Sequence, residues 1–315
     1  MPKQYEHQEG SSLRLEKFHG IIPAFYACYD DQGNISEPRT KALCDYLLEK
    51  KVQGVYVGGS SGECIYQNLD ERKAILGYVA EHLKGKMTLI AHVGAPSTRD
   101  SVELAKHAAS LGYDALSAIP PIYFKLPDSA VYKYWSEIID ATPLDFIIYN
   151  IPQTTGYTLT TSLFAKLLAN PKVIGVKNSS MPTMDIERFK KVGGDNVIVF
   201  NGPDEQFVAG RIMGADAGIG GTYGAMPELF LQANQFIQQG KFEEAKLIQS
   251  EINDIIIALV SLDGSMYAVI KEVLNRRGVN IGSVRGPLEG ISNEDAGRID
   301  KIIHMIDKSI ARFCE

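Results

Sequence analysis

Lys177 stands inside the β-rich run VIGVKNS (173 to 179), whereas every other lysine falls in a segment read as helix, turn or tail. An ammonium on a buried strand is costly without a partner. Burial lowers its pKa toward a neutral amine, which can attack a carbonyl and form a Schiff base. A lysine salt-bridged to a carboxylate across a barrel suits the position equally. Tyr149 closes the run FIIYNI (146 to 151), which Pro152 stops, and would face the same mouth one strand away from Lys177. A phenol there can transfer protons if a neighbouring ammonium or hydroxyl donors lower its pKa. The alternative is an aromatic ring filling the top layer of a barrel.

The segment VGGSSGE brings the backbone of Gly58, Gly59 and Gly62 close to a ligand and adds the hydroxyls of Ser60 and Ser61. Such a nest suits a small carboxylate, because it offers several oriented donors without a full positive charge. A tight turn alone would need one glycine. The segment NGPDE carries Asp204 and Glu205, which suit either hydrogen bonds from polyol hydroxyls or an acidic cap on the following helix. The glycine-rich GIGGTYG resembles a phosphate loop, but no Lys or Arg accompanies it. In PPIYFK, the side chains of Ile122, Tyr123 and Phe124 form an apolar cluster on a loop, which either marks an interface or covers its own barrel.

These residues fall at the ends of a repeating set of elements. Eight strand candidates recur about every 30 residues: 21–27, 54–59, 87–93, 115–119, 146–151, 173–179, 197–202 and 217–223. Amphipathic stretches such as RTKALCDYLLEKK and SVELAKHAASLG lie between them, with apolar residues at helical spacing. Consecutive right-handed βα units of this number close into an α/β fold, a (β/α)8 TIM barrel, with chemistry at the C-terminal strand ends. A doubly wound sheet uses the same alternation, but no GxGxxG or P-loop pattern is present. The expected organisation is a flexible lead-in over 1–17, a barrel over 18–225 and a C-terminal helical region packed on it over 226–315.

The chain of 315 residues carries 32 basic and 38 acidic side chains, a formal charge of −6, without a run of five like charges. Nucleic acid and anionic membranes are thereby excluded as expected partners. The first 18 residues are charged throughout, unlike a signal peptide, and no apolar run reaches a membrane span. Cys28, Cys44, Cys64 and Cys314 lie far apart, with neither a CxxC pair nor a histidine at ligand spacing. That argues against a zinc site and a disulfide framework, and fits the reduced cytoplasm.

Taken together, GVYVGGSSGE, LIAHVG, IIYNIP, GVKNSS, NGPDE and GADAGIGGTYG are similar to the class I pyruvate-dependent aldolases of the dihydrodipicolinate synthase and N-acetylneuraminate lyase superfamily. The resemblance implies a Schiff-base lysine at Lys177, a proton-transferring Tyr149, and a pyruvyl carboxylate held by Ser60 and Ser61. It also implies a homotetramer built as a dimer of dimers, in which Tyr123 crosses into the neighbouring subunit. Gln153, Thr154 and Thr155 stand where the synthases carry an arginine, which argues against an acidic semialdehyde as second substrate. NGPDE matches the lyase branch, placing Gly202, Asp204 and Glu205 on the hydroxyl tail of a sugar. Ser179 keeps a hydroxyl where lyases often have threonine, and Ser61 does the same for the threonine of GSTGE. Gly221 replaces a serine of the lyases, and Ala27-Cys28-Tyr29 replaces a frequent TPF.

The resemblance therefore implies retro-aldol cleavage of a nine-carbon 2-keto sugar acid (sialic acid) to N-acetylmannosamine and pyruvate, with neither metal nor organic cofactor. The rivals are an aldolase for 2-keto-3-deoxy sugar acids, a synthase-like condensation, and a ligand-binding barrel without chemistry.

Overall fold

The computed structural model describes residues 14–314. Eight parallel strands make one sheet: β1 (Gly20–Pro23), β2 (Gly54–Val57), β3 (Thr88–His92), β4 (Ala115–Ala118), β5 (Asp145–Asn150), β6 (Val173–Asn178), β7 (Ile198–Asn201) and β8 (Ala217–Gly220). β1 pairs with β8, and the ring closes between β1 and β2, where Gln53 N donates to Ile21 O at 3.0 Å and Phe25 N to Tyr56 O at 2.9 Å. The expected (β/α)8 barrel is the fold, and closure on both sides of β1 rules out the open doubly wound sheet.

Local sequence explains the helices between the strands. Leu69–Leu83 opens on a capping box, in which the side chain of Asn68 accepts from Glu71 N and that of Glu71 accepts from Asn68 N. Thr98–Leu111 starts at the Ser97 cap and ends at Gly112 in the left-handed region. Their apolar faces pack on the outside of the strands, while Ile22, Tyr56, Ile90, Ile147, Ile198 and Phe200 fill the inside.

The strands are shorter than several of the apolar runs. The run 21–27 leaves the sheet after Pro23, and 217–223 leaves it after Gly220. Phe25, Tyr26 and Tyr29 stay buried although they belong to no strand, so apolar character overstates strand length here. These segments bend over the C-terminal mouth, where barrel strands must give way to ligand-binding loops.

Residues 1–13 of the expected lead-in lie outside the described residues, while its last part is packed. Leu15 and Phe18 are buried in the inner cluster at the bottom of the barrel, Arg14 pairs with Asp145, and Lys17 pairs with Asp114 at 2.9 Å. After β8, the helix Pro227–Gln238 packs on β1 and completes the ring, followed by the helices Phe242–Val260, Met266–Arg276 and Ala296–Phe313. Among the described residues no helix is long and apolar enough to cross a membrane.

Candidate active site

Lys177 and Tyr149 sit at directly paired positions of β6 and β5, near the C-terminal ends of both strands. Strand alternation turns both side chains inward, where they are 4% and 3% exposed. The Lys177 Nζ lies 3.9 Å from the centre of the Tyr149 ring and 4.4 Å from that of Tyr56. Tyr56 is held by a 2.9 Å hydrogen bond from its hydroxyl to Ser117 Oγ. The amine thus occupies an aromatic slot, and burial lowers its pKa to about 7 against the opposing pull of the Asp204 carboxylate. Near neutral pH, about half of such amines carry no proton.

The phenol behaves otherwise than expected. Burial pushes Tyr149 up to about 12, and the hydrogen bonds of Ser179 and Ser60 offset this only in part. Desolvation is the largest cause, and the Lys177 nitrogen lies over the face of the ring. In the resting site Tyr149 is therefore a protonated phenol.

The loop after β2 forms two 3-10 turns, Ser60–Gly62 and Cys64–Tyr66. Gly62 N bonds to Gly59 O at 3.0 Å and Glu63 N to Ser60 O at 2.9 Å. The first of these bonds takes the Gly62 amide out of the donor set expected from the glycine-rich nest. Ser60 is exposed at the mouth, and Ser61 is buried beside Tyr267, with which it shares a hydrogen bond.

Across the mouth, Asp204 is buried with one oxygen satisfied, Oδ2 accepting from Thr222 N and Thr222 Oγ1 at 2.6 Å each. Its Oδ1 has no partner among the described residues, and burial raises the carboxyl to about 6. Glu205 beside it is exposed. Asp204 ties the β7 loop to the β8 loop, a role that neither of the two expectations for the pair included. Gly202 is required by close approach: a Cβ there would sit 2.0 Å from Ser179 Oγ and 2.7 Å from Asn178 O. A Cβ at Gly221 would lie 3.1 Å from Ser61 Oγ.

Ser60, Ser61, Tyr149, Lys177, Ser179, Gly202, Asp204, Glu205 and Gly221 all line one cavity of about 310 Å³. Tyr123 does not join them within the single chain. It is 91% exposed on the loop after β4, edge to face with Phe124 and in the left-handed region at φ 81°. A larger cavity of about 610 Å³ adjoins the first and shares Ser60 and Tyr267, but it lacks Lys177 and so the reactive amine. Ile122 lines it, which puts the Tyr123 loop beside that cavity.

The motifs did not announce Ile256, Met266 and Tyr267, which reach the smaller cavity from the C-terminal helices. A signal existed in Lys271, a charge in the middle of the apolar stretch MYAVIKEVL that marks the helix face turned inward.

The sequence model of the Dihydrodipicolinate synthetase family matches residues 17–306. The chain belongs to this family. It is 52% identical to the N-acetylneuraminate lyase of Mediterraneibacter gnavus over 97% of this chain and 98% of that protein. It is 36% identical to the N-acetylneuraminate lyase of Rhizobium meliloti over 91% and 95%. Among solved structures, the catalytic lysine mutant of the Ruminococcus gnavus sialic acid aldolase superposes with a TM-score of 0.94 at 52% identity, covering 95% of this chain and 99% of that one. The family resemblance read from the motifs and the TIM barrel read from the strand count agree with these likenesses.

Proposed function

We propose that the protein is a class I aldolase that cleaves N-acetylneuraminate reversibly to N-acetylmannosamine and pyruvate. The relatives named N-acetylneuraminate lyase support the substrate, and the relative described by its catalytic lysine supports the covalent mechanism. One observation carries the chemistry: a buried lysine with a pKa of about 7 sits between a hydroxyl-bearing loop and a carboxylate with an unpartnered oxygen.

In the proposed reaction the neutral Lys177 amine attacks the C2 ketone of the open-chain substrate, whose carboxylate lies on Ser60 and Ser61. The Tyr149 phenol gives its proton to the carbinolamine hydroxyl, which leaves as water, so that an iminium and a phenolate arise together. The cation now beside the ring stabilises the phenolate that the resting site disfavours. The phenolate takes the proton of the C4 hydroxyl, the C3–C4 bond breaks, and its electron pair flows into the iminium. N-acetylmannosamine leaves as the aldehyde. The remaining enamine is protonated at C3 and hydrolysed, which frees pyruvate and Lys177. Ser179 orients the phenol, and the C=O of Gly202 with Asp204 and Glu205 receives the hydroxyl tail. Asp204 Oδ1, buried without a partner among the described residues, is placed to accept a hydrogen bond from a substrate hydroxyl.

The same reading assigns a homotetramer, dimer of dimers, with Tyr123 entering the neighbouring subunit's site. It is supported by the exposure of Tyr123 and Phe124, 91% and 72%, beside the larger cavity. We assign the reduced cytoplasm, supported by four cysteines none of which forms a disulfide among the described residues. The test is a substrate panel. N-acetylneuraminate should give the highest kcat/KM, and a preference for 2-keto-3-deoxy sugar acids, or for condensing pyruvate with an acidic semialdehyde, would overturn the assignment.

A further inference from the structure

The loop that offers Ser60 and Ser61 is not held by the barrel alone. Directly after its first turn, Glu63 adopts φ 54° and ψ 29°. This left-handed conformation is uncommon for a residue with a long side chain, and it persists only where the surroundings impose it. The Glu63 side chain is fully buried and accepts from Lys271 Nζ at 2.5 Å. Lys271 also donates to Ser283 O at 3.0 Å, and its Nζ lies 4.8 Å from the centre of the Tyr29 ring, on which Arg285 also stacks. Gln67 ties the same ring to the loop, its Nε2 donating to Tyr29 Oη at 3.0 Å and to Gly62 O at 2.9 Å.

Lys271 belongs to the helix Met266–Arg276, outside the eight βα units. One turn earlier on the same helix, Tyr267 reaches the cavity and shares its hydrogen bond with Ser61. Residues four apart lie on one helix face, about 5–6 Å between their Cβ atoms. They grip Ser61 and Glu63, two residues apart in the loop. A buried ion pair of this kind is weak evidence for stability, because well-packed apolar replacements are often as stable. Its geometry acts instead on where the loop stands.

We propose that Lys271 and Tyr267 are positioning residues: together they clamp the Ser60–Glu63 loop so that its hydroxyls and amides meet the carboxylate of the 2-keto acid. The hydrogen bond between Tyr267 and Ser61 fixes where that serine hydroxyl stands. The inference rests on the reading of this loop as the carboxylate site.

The test compares two carbonyl compounds that differ in the carboxylate. Lys177 is trapped with cyanoborohydride in the presence of pyruvate or of acetone, and the adduct is followed by intact mass. The wild-type protein should react far faster with pyruvate. The double variant Lys271→Met with Glu63→Gln removes both charges at similar volume, and Tyr267→Phe removes one hydroxyl from a ring that keeps its packing. Each should lower the pyruvate rate about 10- to 100-fold, the scale of a misplaced binding group, and leave the acetone rate unchanged. Should the double variant not fold, Tyr267→Phe decides alone. Pyruvate and acetone rates that fall together would mean a general structural role and overturn the inference, as would a pyruvate preference kept in full. A wild-type protein without any preference would instead overturn the carboxylate reading of the loop.

Discussion

Tyr149 and Lys177 are register partners across β5 and β6, and the lysine nitrogen lies 3.9 Å from the centre of the tyrosine ring. The contact places the amine on the π face, leaving the phenol oxygen to Ser60 and Ser179. Two groups that must act in turn are thereby kept from forming an ion pair at rest. The amine stays near neutrality and the phenol keeps the proton it has to deliver.

Covalent trapping locates the nucleophile. Lys177 is the only lysine in a barrel strand among the described residues, so pyruvate with borohydride should add one three-carbon adduct per chain at that residue. Lys177→Ala should abolish both the adduct and cleavage. An adduct at another lysine would refute the mechanism.

The pH profile follows from the same lysine. Only the neutral amine attacks, and its pKa is about 7, so kcat/KM should rise as pH climbs through about 7 and then level off. Asp204 holds that pKa up, so Asp204→Asn should move the acid limb to lower pH. A limb that vanishes in the variant would belong to Asp204 itself, which titrates at about 6.

Tyr149→Phe removes the proton carrier and keeps the ring against Lys177. We expect kcat to fall by at least about 10²-fold, with the imine still forming slowly. An unchanged kcat would leave Tyr149 a packing residue.

The acidic pair separates substrate from scaffold. Among the described residues, exposed Glu205 makes no loop contact comparable to that of Asp204, so Glu205→Ala should weaken the nine-carbon substrate by about 1.5–3 kcal/mol and leave pyruvate binding as it was. Asp204→Ala should also loosen the β7 and β8 loops, because Thr222 N and Oγ1 lose their acceptor. Isothermal titration with both ligands distinguishes the two; equal losses with both ligands for Glu205→Ala would contradict its place on the sugar tail.

Subunit mixing tests the crossing of Tyr123. Tyr123→Phe chains mixed with Lys177→Ala chains should regain activity, because a dimer of unlike chains then holds one site with both wild-type residues. Exchange is followed by native mass spectrometry. Exchange without regained activity would keep Tyr123 out of the neighbouring site.

The order of the eight strands, the barrel they form and the strand that bears Lys177 were legible in the sequence, because period, turn chemistry and the cost of a buried charge act over a few residues. Gly58 to Glu63, Lys177 and Asp204 to Glu205 could each be placed at the mouth once the barrel was counted. What the phenol does was not legible: its high pKa depends on desolvation by neighbours on other strands, which the hydrogen bonds of Ser179 and Ser60 offset in part. Strand ends were not legible either, since Phe25 and Tyr26 are as apolar in a buried loop as in a sheet. The helix that brings Tyr267 and Lys271 to the loop lies more than 200 residues along the chain from Glu63, as the 208-residue separation of Lys271 and Glu63 records. Nothing local in either segment specifies that contact; the closure of the barrel and the packing of the last helices on it bring the two together.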